Sequence, residues 1–255
     1  MTVLQARDLT VKIANVNICS DLNFTVKPGE CWGVLGSNGA GKTTLLHALS
    51  GLYSPRSGEV YIDNQSIASL SARTIATNIG VLFQDNTDPF PTTVLESALI
   101  GRHPHLNTWQ WESDVDIEIA RMALHSVGLQ GFDRRRVDTL SGGERRRLGI
   151  ATVMVQNPDI YLLDEPNNHL DLHHQIELLS QLTALTKANE KAIIMVLHDI
   201  NLASRFCDHL LLLFGDGETR HGAKHEVLDT ELLERLYGHE LVELAGALHR
   251  VFTPL

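Results

Sequence analysis

Cysteine is scarce in this chain, and the scarcity narrows its chemistry. Only Cys19, Cys31 and Cys207 occur, without any CxxC pair, so buried thiols in a reducing, cytosolic compartment are expected rather than a disulfide framework or a cysteine-based zinc site. No apolar run approaches the roughly 20 residues that span a bilayer as a helix; the nearest are Ala192 to Leu197 and Leu210 to Phe214. If a membrane is involved, another chain must supply it. Near the start, Arg7 and Asp8 interrupt the stretch in which a secretory signal needs unbroken apolar residues, so export is not expected. Basic residues are outnumbered, 21 against 31 acids, and the net charge of -10 argues against a general nucleic-acid binder, whose surface must neutralise phosphates.

What remains is the composition of a soluble globular protein, 43% hydrophobic and 20% charged over 255 residues, long enough to bury a core without covalent staples. The first third reads as short β segments: Thr10 to Ile13, Leu22 to Val26, a turn at Lys27 to Glu30, then Cys31 to Leu35. A glycine-rich loop and a helix-like stretch, Lys42 to Ser50, follow, with further β runs at Glu59 to Ile62 and Ile79 to Phe83. From about Pro89 to Asn157 the spacing turns helical, which predicts a helical insert. The rhythm then alternates: strand Ile160 to Leu163, helix Gln175 to Leu185, strand Ala192 to Leu197, helix Asn201 to Phe206, strand Leu210 to Leu213. Such alternation predicts a mostly parallel sheet covered on both faces.

Residues 36 to 43 read Gly36-Ser37-Asn38-Gly39-Ala40-Gly41-Lys42-Thr43, with Thr44 next, a full match to the phosphate-binding loop pattern. Glycines let the backbone turn tightly and aim successive N–H groups at phosphate oxygens, while the helix that starts at Lys42 adds the positive end of its dipole. Lys42 suits the outer phosphates and Thr43 offers a hydroxyl to Mg²⁺. A glycine turn that merely packs is the bland reading, but this one sits between an expected strand and an expected helix. Farther on, the apolar strand Ile160 to Leu163 ends in Asp164 and Glu165, at the carboxyl edge where open α/β sheets bind ligands. Asp164 would serve Mg²⁺ through its water shell, and Glu165 would polarise the attacking water as general base.

Four further stretches narrow a generic phosphate-loop protein. Leu140-Ser141-Gly142-Gly143-Glu144 resembles the signature motif of the ATP-binding cassette (ABC) family, Gln84 its Q-loop glutamine, His198 its switch histidine, and Asn168-His169-Leu170-Asp171 its D-loop. Each alone is weak, and for Gln84 and His198 a polar cap at a strand end stays open. Their order along nearly the whole chain carries the resemblance. Within the family, Gly101-Arg102-His103-Pro104-His105-Leu106, Val196 to Ala203, and the tail Glu226-Val227-Leu228 with Leu232 to Tyr237 are similar to importer subunits for iron chelates (siderophores, haem) and cobalamin.

The resemblance implies an α/β P-loop NTPase (RecA-like) core with an N-terminal antiparallel β subdomain and an inserted helical subdomain carrying the signature motif. Residues 1–88 and 158–255 would form the core, and 89–157 the helical piece. It also implies that two copies meet head to tail, each ATP lying between the phosphate loop of one and Ser141, Gly142 and Gly143 of the other. Gln84 would reach the metal and sense a permease, and His198 would contact the γ-phosphate. ATP and Mg²⁺ are the implied ligands. The implied partners are a second cassette, transmembrane permease subunits and, indirectly, a substrate-binding protein; the implied place is the cytoplasmic face of the inner membrane.

The chain departs from the family at the base contact, where Ile13 takes the place of the usual stacking aromatic; weak base discrimination is expected. Asn167 stands where Thr or Ser is frequent, and Arg146 where Gln is frequent. His169, His173 and His174 tempt a metal reading, but no third ligand of settled geometry accompanies the pair four apart, and an interface or a helix cap serves as well. Trp109 and Trp111 suit a permease interface or a core equally. Two rivals remain: a non-transport cassette ATPase, such as one for iron-sulfur cluster assembly, and a small-molecule phosphotransferase, against which the signature motif argues.

Overall fold

The computed structural model describes residues 2–14, 16–84, 91–107, 109–244 and 249–254; the expected boundary at residues 88 and 89 lies outside them. The chain opens as a long hairpin, β1 (Leu4–Ile13) and β2 (Val16–Val26), paired antiparallel from Leu4↔Val26 to Ile13↔Val16. Leu4 and Ala6 point inward, but beyond Asp8 the inward residues are Leu9 and Val11. An irregularity at Arg7 and Asp8, where Asp8 takes φ 49°, absorbs the change of phase.

Next come β3 (Cys31–Gly36), α1 (Lys42–Leu49), β4 (Ser57–Ile62), β5 (Gln65–Ser66), α2 (Ala72–Asn78) and β6 (Ile79–Leu82). The helical piece holds α3 (Val94–Leu99), α4 (Asp114–Ser126) and α5 (Gly142–Gln156). Each begins on a reciprocal capping box, Thr93 with Glu96, Ser113 with Asp116, and Ser141 with Glu144, so two orphan N–H groups per helix are satisfied locally. The remainder is β7 (Ile160–Asp164), α6 (Leu172–Asn189), β8 (Ala192–Val196), α7 (Ile200–Phe206), β9 (His209–Leu213), β10 (Thr219–Ala223), α8 (Lys224–Val227), α9 (Thr230–Tyr237), β11 (Leu241–Leu244) and β12 (Val251–Pro254).

Two main sheets result. The antiparallel sheet runs β2-β1-β4-β5, and the central sheet β10-β9-β3-β8-β7-β6 is parallel except at its β10 edge. Every residue of β3, β7 and β8 is buried, which is why these strands read as unbroken apolar runs. Their alternate residues feed two cores. Leu35, Leu163 and Met195 face the helices α3 to α7, while Val34, Leu162 and Ile194 face α1 and the antiparallel sheet. All three cysteines are buried thiols. Among the described residues no helix is long and apolar enough to cross a membrane.

Candidate nucleotide site

The site grows from the carboxyl edge of the central sheet. After β3 the chain turns through the glycine loop into α1, whose N-cap, Gly41, has φ 91°. A β-carbon there would fall 2.5 Å from Ile18, so only glycine fits both the turn and the approach of β2. Lys42 folds over the loop and donates to the carbonyls of Gly36 (2.8 Å) and Ser37 (3.0 Å). Burial lowers its pKa, while Glu165 and Asp164 pull it back up.

At the end of β7 the two acids part. Asp164 is buried and accepts from the Thr43 hydroxyl at 2.6 Å. Burial pushes its carboxyl above the ordinary range; the Thr43 hydroxyl opposes this, Glu165 adds to it, and Arg146 counters it. Glu165 takes φ 51° in a turn closed by Asn168 N–H on its carbonyl at 3.0 Å, which swings its carboxylate toward the loop. Oε1 lies 2.6 Å from His198 Nε2 and accepts from Gln84 Nε2 at 3.3 Å, while Oε2 accepts from Asn168 Nδ2 at 3.0 Å. Three side chains from three loops therefore fix one carboxylate.

A cleft of about 530 Å³ joins these parts, lined by Ile13, Val16 and Ile18 on one wall, Asn38, Gly39, Gly41, Lys42, Thr43 and Thr44 on its floor, and Gln84, Glu165 and His198 at its mouth. That volume is ordinary for a small-molecule site. Of the other expected residues, Ala40 is buried, Asp164 lies behind Thr43, and Gly36 and Ser37 hold Lys42. Ser141, Gly142 and Gly143 do not line the cleft. They cap α5 against the D-loop, where a β-carbon on Gly143 would lie 3.1 Å from the His169 carbonyl. A larger cavity, about 690 Å³, lies against α4 between Glu118 and Arg134, and no motif residue lines it.

Sequence reasoning passed over Val16 and Ile18 as cleft residues, although they sit at the period-two spacing of a strand. Asn168 was legible as part of the D-loop but not as a partner of Glu165. His174 belongs to the cap of α6: the N-cap Asp171 accepts from its backbone N–H and also meets its ring. Trp109 and Trp111 are 94% and 88% exposed, which removes core packing as their explanation.

A parallel sheet with a phosphate loop after β3 and paired acids at the end of β7, one strand further across the sheet beyond β8, defines a P-loop nucleotide hydrolase. Comparison narrows the class: the ABC transporter family model matches residues 19–168. The petrobactin import ATP-binding protein FpuD of Bacillus anthracis is 38% identical over 93% of this chain and 87% of its own. Among solved structures, one described as a metal-chelate type ABC transporter in an inward-facing conformation gives a TM-score of 0.85 at 28% identity, covering 100% of this chain and 98% of that one. The dimeric bacterial ABC transporter cassette MJ0796 gives 0.76 at 28%, covering 86% and 98%. The chain belongs to the ABC transporter family and is an ATP-hydrolysing cassette of it.

Proposed function

We propose that this cassette energises an importer for a metal chelate, either an iron chelate (siderophore or haem) or the corrinoid cobalamin, from the cytoplasmic face of the membrane. One observation carries the shared-site part of this reading. The phosphate loop and the signature cap are both fully formed, yet Ser141 lines no part of the cleft that holds Lys42 and Glu165. A second copy placed head to tail supplies the missing wall, and the dimeric state of the similar cassette MJ0796 supports pairing. The petrobactin importer and the metal-chelate transporter support the cargo class; nothing found favours a role in cluster assembly. Exposed Trp109 and Trp111 on the helical piece supply anchors for a permease, and a substrate-binding protein outside would choose the cargo.

The residues divide the work. Main-chain N–H groups of the loop and Lys42 bind the phosphates, Ile13 and Val16 grip the base, and Glu165 Oε1 takes the proton of the attacking water while Gln84 and His198 orient it. Asp164 Oδ1 is buried with no hydrogen-bond partner among the described residues, and with the Thr43 hydroxyl beside it this oxygen donor set fits Mg²⁺, which takes a few carboxylate and hydroxyl oxygens and keeps water. Thr43, Asp164 and Gln84 would hold the ion. When bound, it neutralises charge on the phosphate oxygens.

The test separates hydrolysis from assembly. Glu165→Gln keeps shape but cannot take a proton, so hydrolysis falls at least about a hundredfold while ATP still binds and closed dimers accumulate on size-exclusion chromatography in ATP and low Mg²⁺. Adding Ser141→Arg abolishes the dimer and spares ATP binding by the monomer. A phosphotransferase gives neither result. If Glu165→Gln stays monomeric both alone and with the permease, the shared site is wrong.

A further inference from the structure

Arg146 occupies a position that the function has not used. It stands on the stripe Arg146, Ile150, Val153 of α5, a helix-period apolar face, and is 6% exposed. A guanidinium is costly to bury unless its donors are engaged. Here they reach three main-chain carbonyls: Phe83 at 2.5 Å, Gln84 at 3.4 Å, and Asp164. Phe83 and Gln84 leave the end of β6, and Asp164 ends β7. The ladder between these neighbouring strands runs from Ile79↔Ile160 to Leu82↔Leu163, so Arg146 stitches the strand ends together just past the last rung.

The backbone held by this stitch bears the catalytic groups. Gln84 is one of the residues held, and the Asp164 carbonyl belongs to the peptide that leads into Glu165. On the other side, Arg146 lies five residues along the same rigid helix from Ser141, about 7.5 Å at 1.5 Å per residue. A glutamine, frequent at this position in the family that the chain resembles, offers two uncharged N–H donors where arginine offers five in a fixed fork.

We infer that Arg146 is a positioning residue that links the signature helix to Gln84 and Glu165 of its own chain, so that occupation of one nucleotide site in the pair sets the geometry of the other. Ser141 serves the partner's ATP and Glu165 serves its own chain's ATP; α5 and Arg146 connect them. The inference rests on the shared-site reading above.

The test uses the full cassette assembled with its permease, comparing Arg146→Met, Arg146→Gln and Arg146→Lys. Binding of a fluorescent ATP analogue, ATPase rate against ATP concentration, and thermal midpoint are measured for each. A displacement near 1 Å at a reacting group is worth up to about a hundredfold in rate. Arg146→Met is therefore expected to lose at least about tenfold in kcat, with analogue affinity within about threefold and a Hill coefficient reduced from above 1 to near 1. Arg146→Gln is expected to keep kcat within about threefold of the wild type, and Arg146→Lys to fall between. A purely structural role would lower the thermal midpoint and the active fraction but leave kcat per folded cassette and the Hill coefficient alone. If Arg146→Met does not fold, Arg146→Lys decides by the same readouts, with Arg146→Gln as the variant expected to stay near wild type. Wild-type kcat and Hill coefficient in Arg146→Met, or in Arg146→Lys where the Met variant does not fold, overturn the inference, as does a wild-type Hill coefficient of 1. Glu165→Gln run in parallel keeps the two ideas apart: its ATP-dependent dimer reports on the shared site, whatever Arg146 does.

Discussion

His198 Nε2 lies 2.6 Å from Glu165 Oε1, joining the loop after β8 to the turn after β7 across the mouth of the nucleotide cleft. The histidine is half exposed and the carboxylate buried, so the pair points one reactive oxygen at the cleft. His198→Ala removes one of three partners that fix this carboxylate. The expected result is a fall of at least about tenfold in kcat with little change in ATP affinity, since orientation of the base is lost and the phosphate loop is untouched. Equal losses in affinity and kcat would place His198 in binding instead. Steady-state assays with direct nucleotide titration separate the two.

Base selection should be weak. Ile13 and Val16 are partly exposed at the lip of the cleft, and with Ile18 they make an aliphatic wall. Such a wall grips either purine, so GTP is expected to be hydrolysed within about tenfold of ATP in kcat/KM. Ile13→Tyr adds a stacking surface worth about 1 kcal/mol, roughly fivefold in affinity for either nucleotide. Parallel kinetics with both nucleotides check this, and a strong ATP preference in the wild type contradicts it.

The two exposed tryptophans make a separate prediction. Replacing Trp109 and Trp111 by Ala leaves the thermal midpoint of the isolated chain nearly unchanged, because exposed side chains contribute within about 0.5 kcal/mol to stability. Basal hydrolysis should hold, while permease-stimulated turnover falls. Equal losses of basal and stimulated turnover would return these residues to a folding role.

Acid stability reports on the helical piece. The Asp116 carboxyl is lowered to about 2, first by the Ser113 hydroxyl, then by the Ser113 N–H and Arg102, against a smaller opposing effect of burial. The folded carboxyl holds its proton less tightly than the unfolded one, whose ordinary value is 3.8. The ionised form therefore stabilises the fold above that value, and the contribution is lost as pH falls through about 2. Asp116→Asn should lower the urea midpoint at pH 7, with the gap to wild type steady down to about pH 4 and closing below it. A gap that persists at the acid end would assign the loss to packing.

The sequence by itself determined the chemistry and the order of the elements. Gly36 to Thr44 needs nothing distant to become a phosphate cradle, because glycine freedom, a helix start and a lysine are local properties. The alternation of short apolar strands with helix-spaced segments announced a mostly parallel sheet, because parallel neighbours need a helical crossover between them. Tertiary structure alone decided which groups meet. Nothing local says that Gln84, Asn168 and His198 converge on Glu165, since their loops come together only when β6, β7 and β8 align in register. Nor does spacing reveal Val16 and Ile18 as partners of Ile13 in one wall, which depends on hairpin pairing and on Gly41 letting β2 approach. Arg146 is the clearest case. A charge on an apolar helical stripe signals burial, but its three carbonyl partners exist only where two strand ends and α5 come together, and hydrogen bonding between residues 18 and 63 apart in sequence is a property of the packed chain.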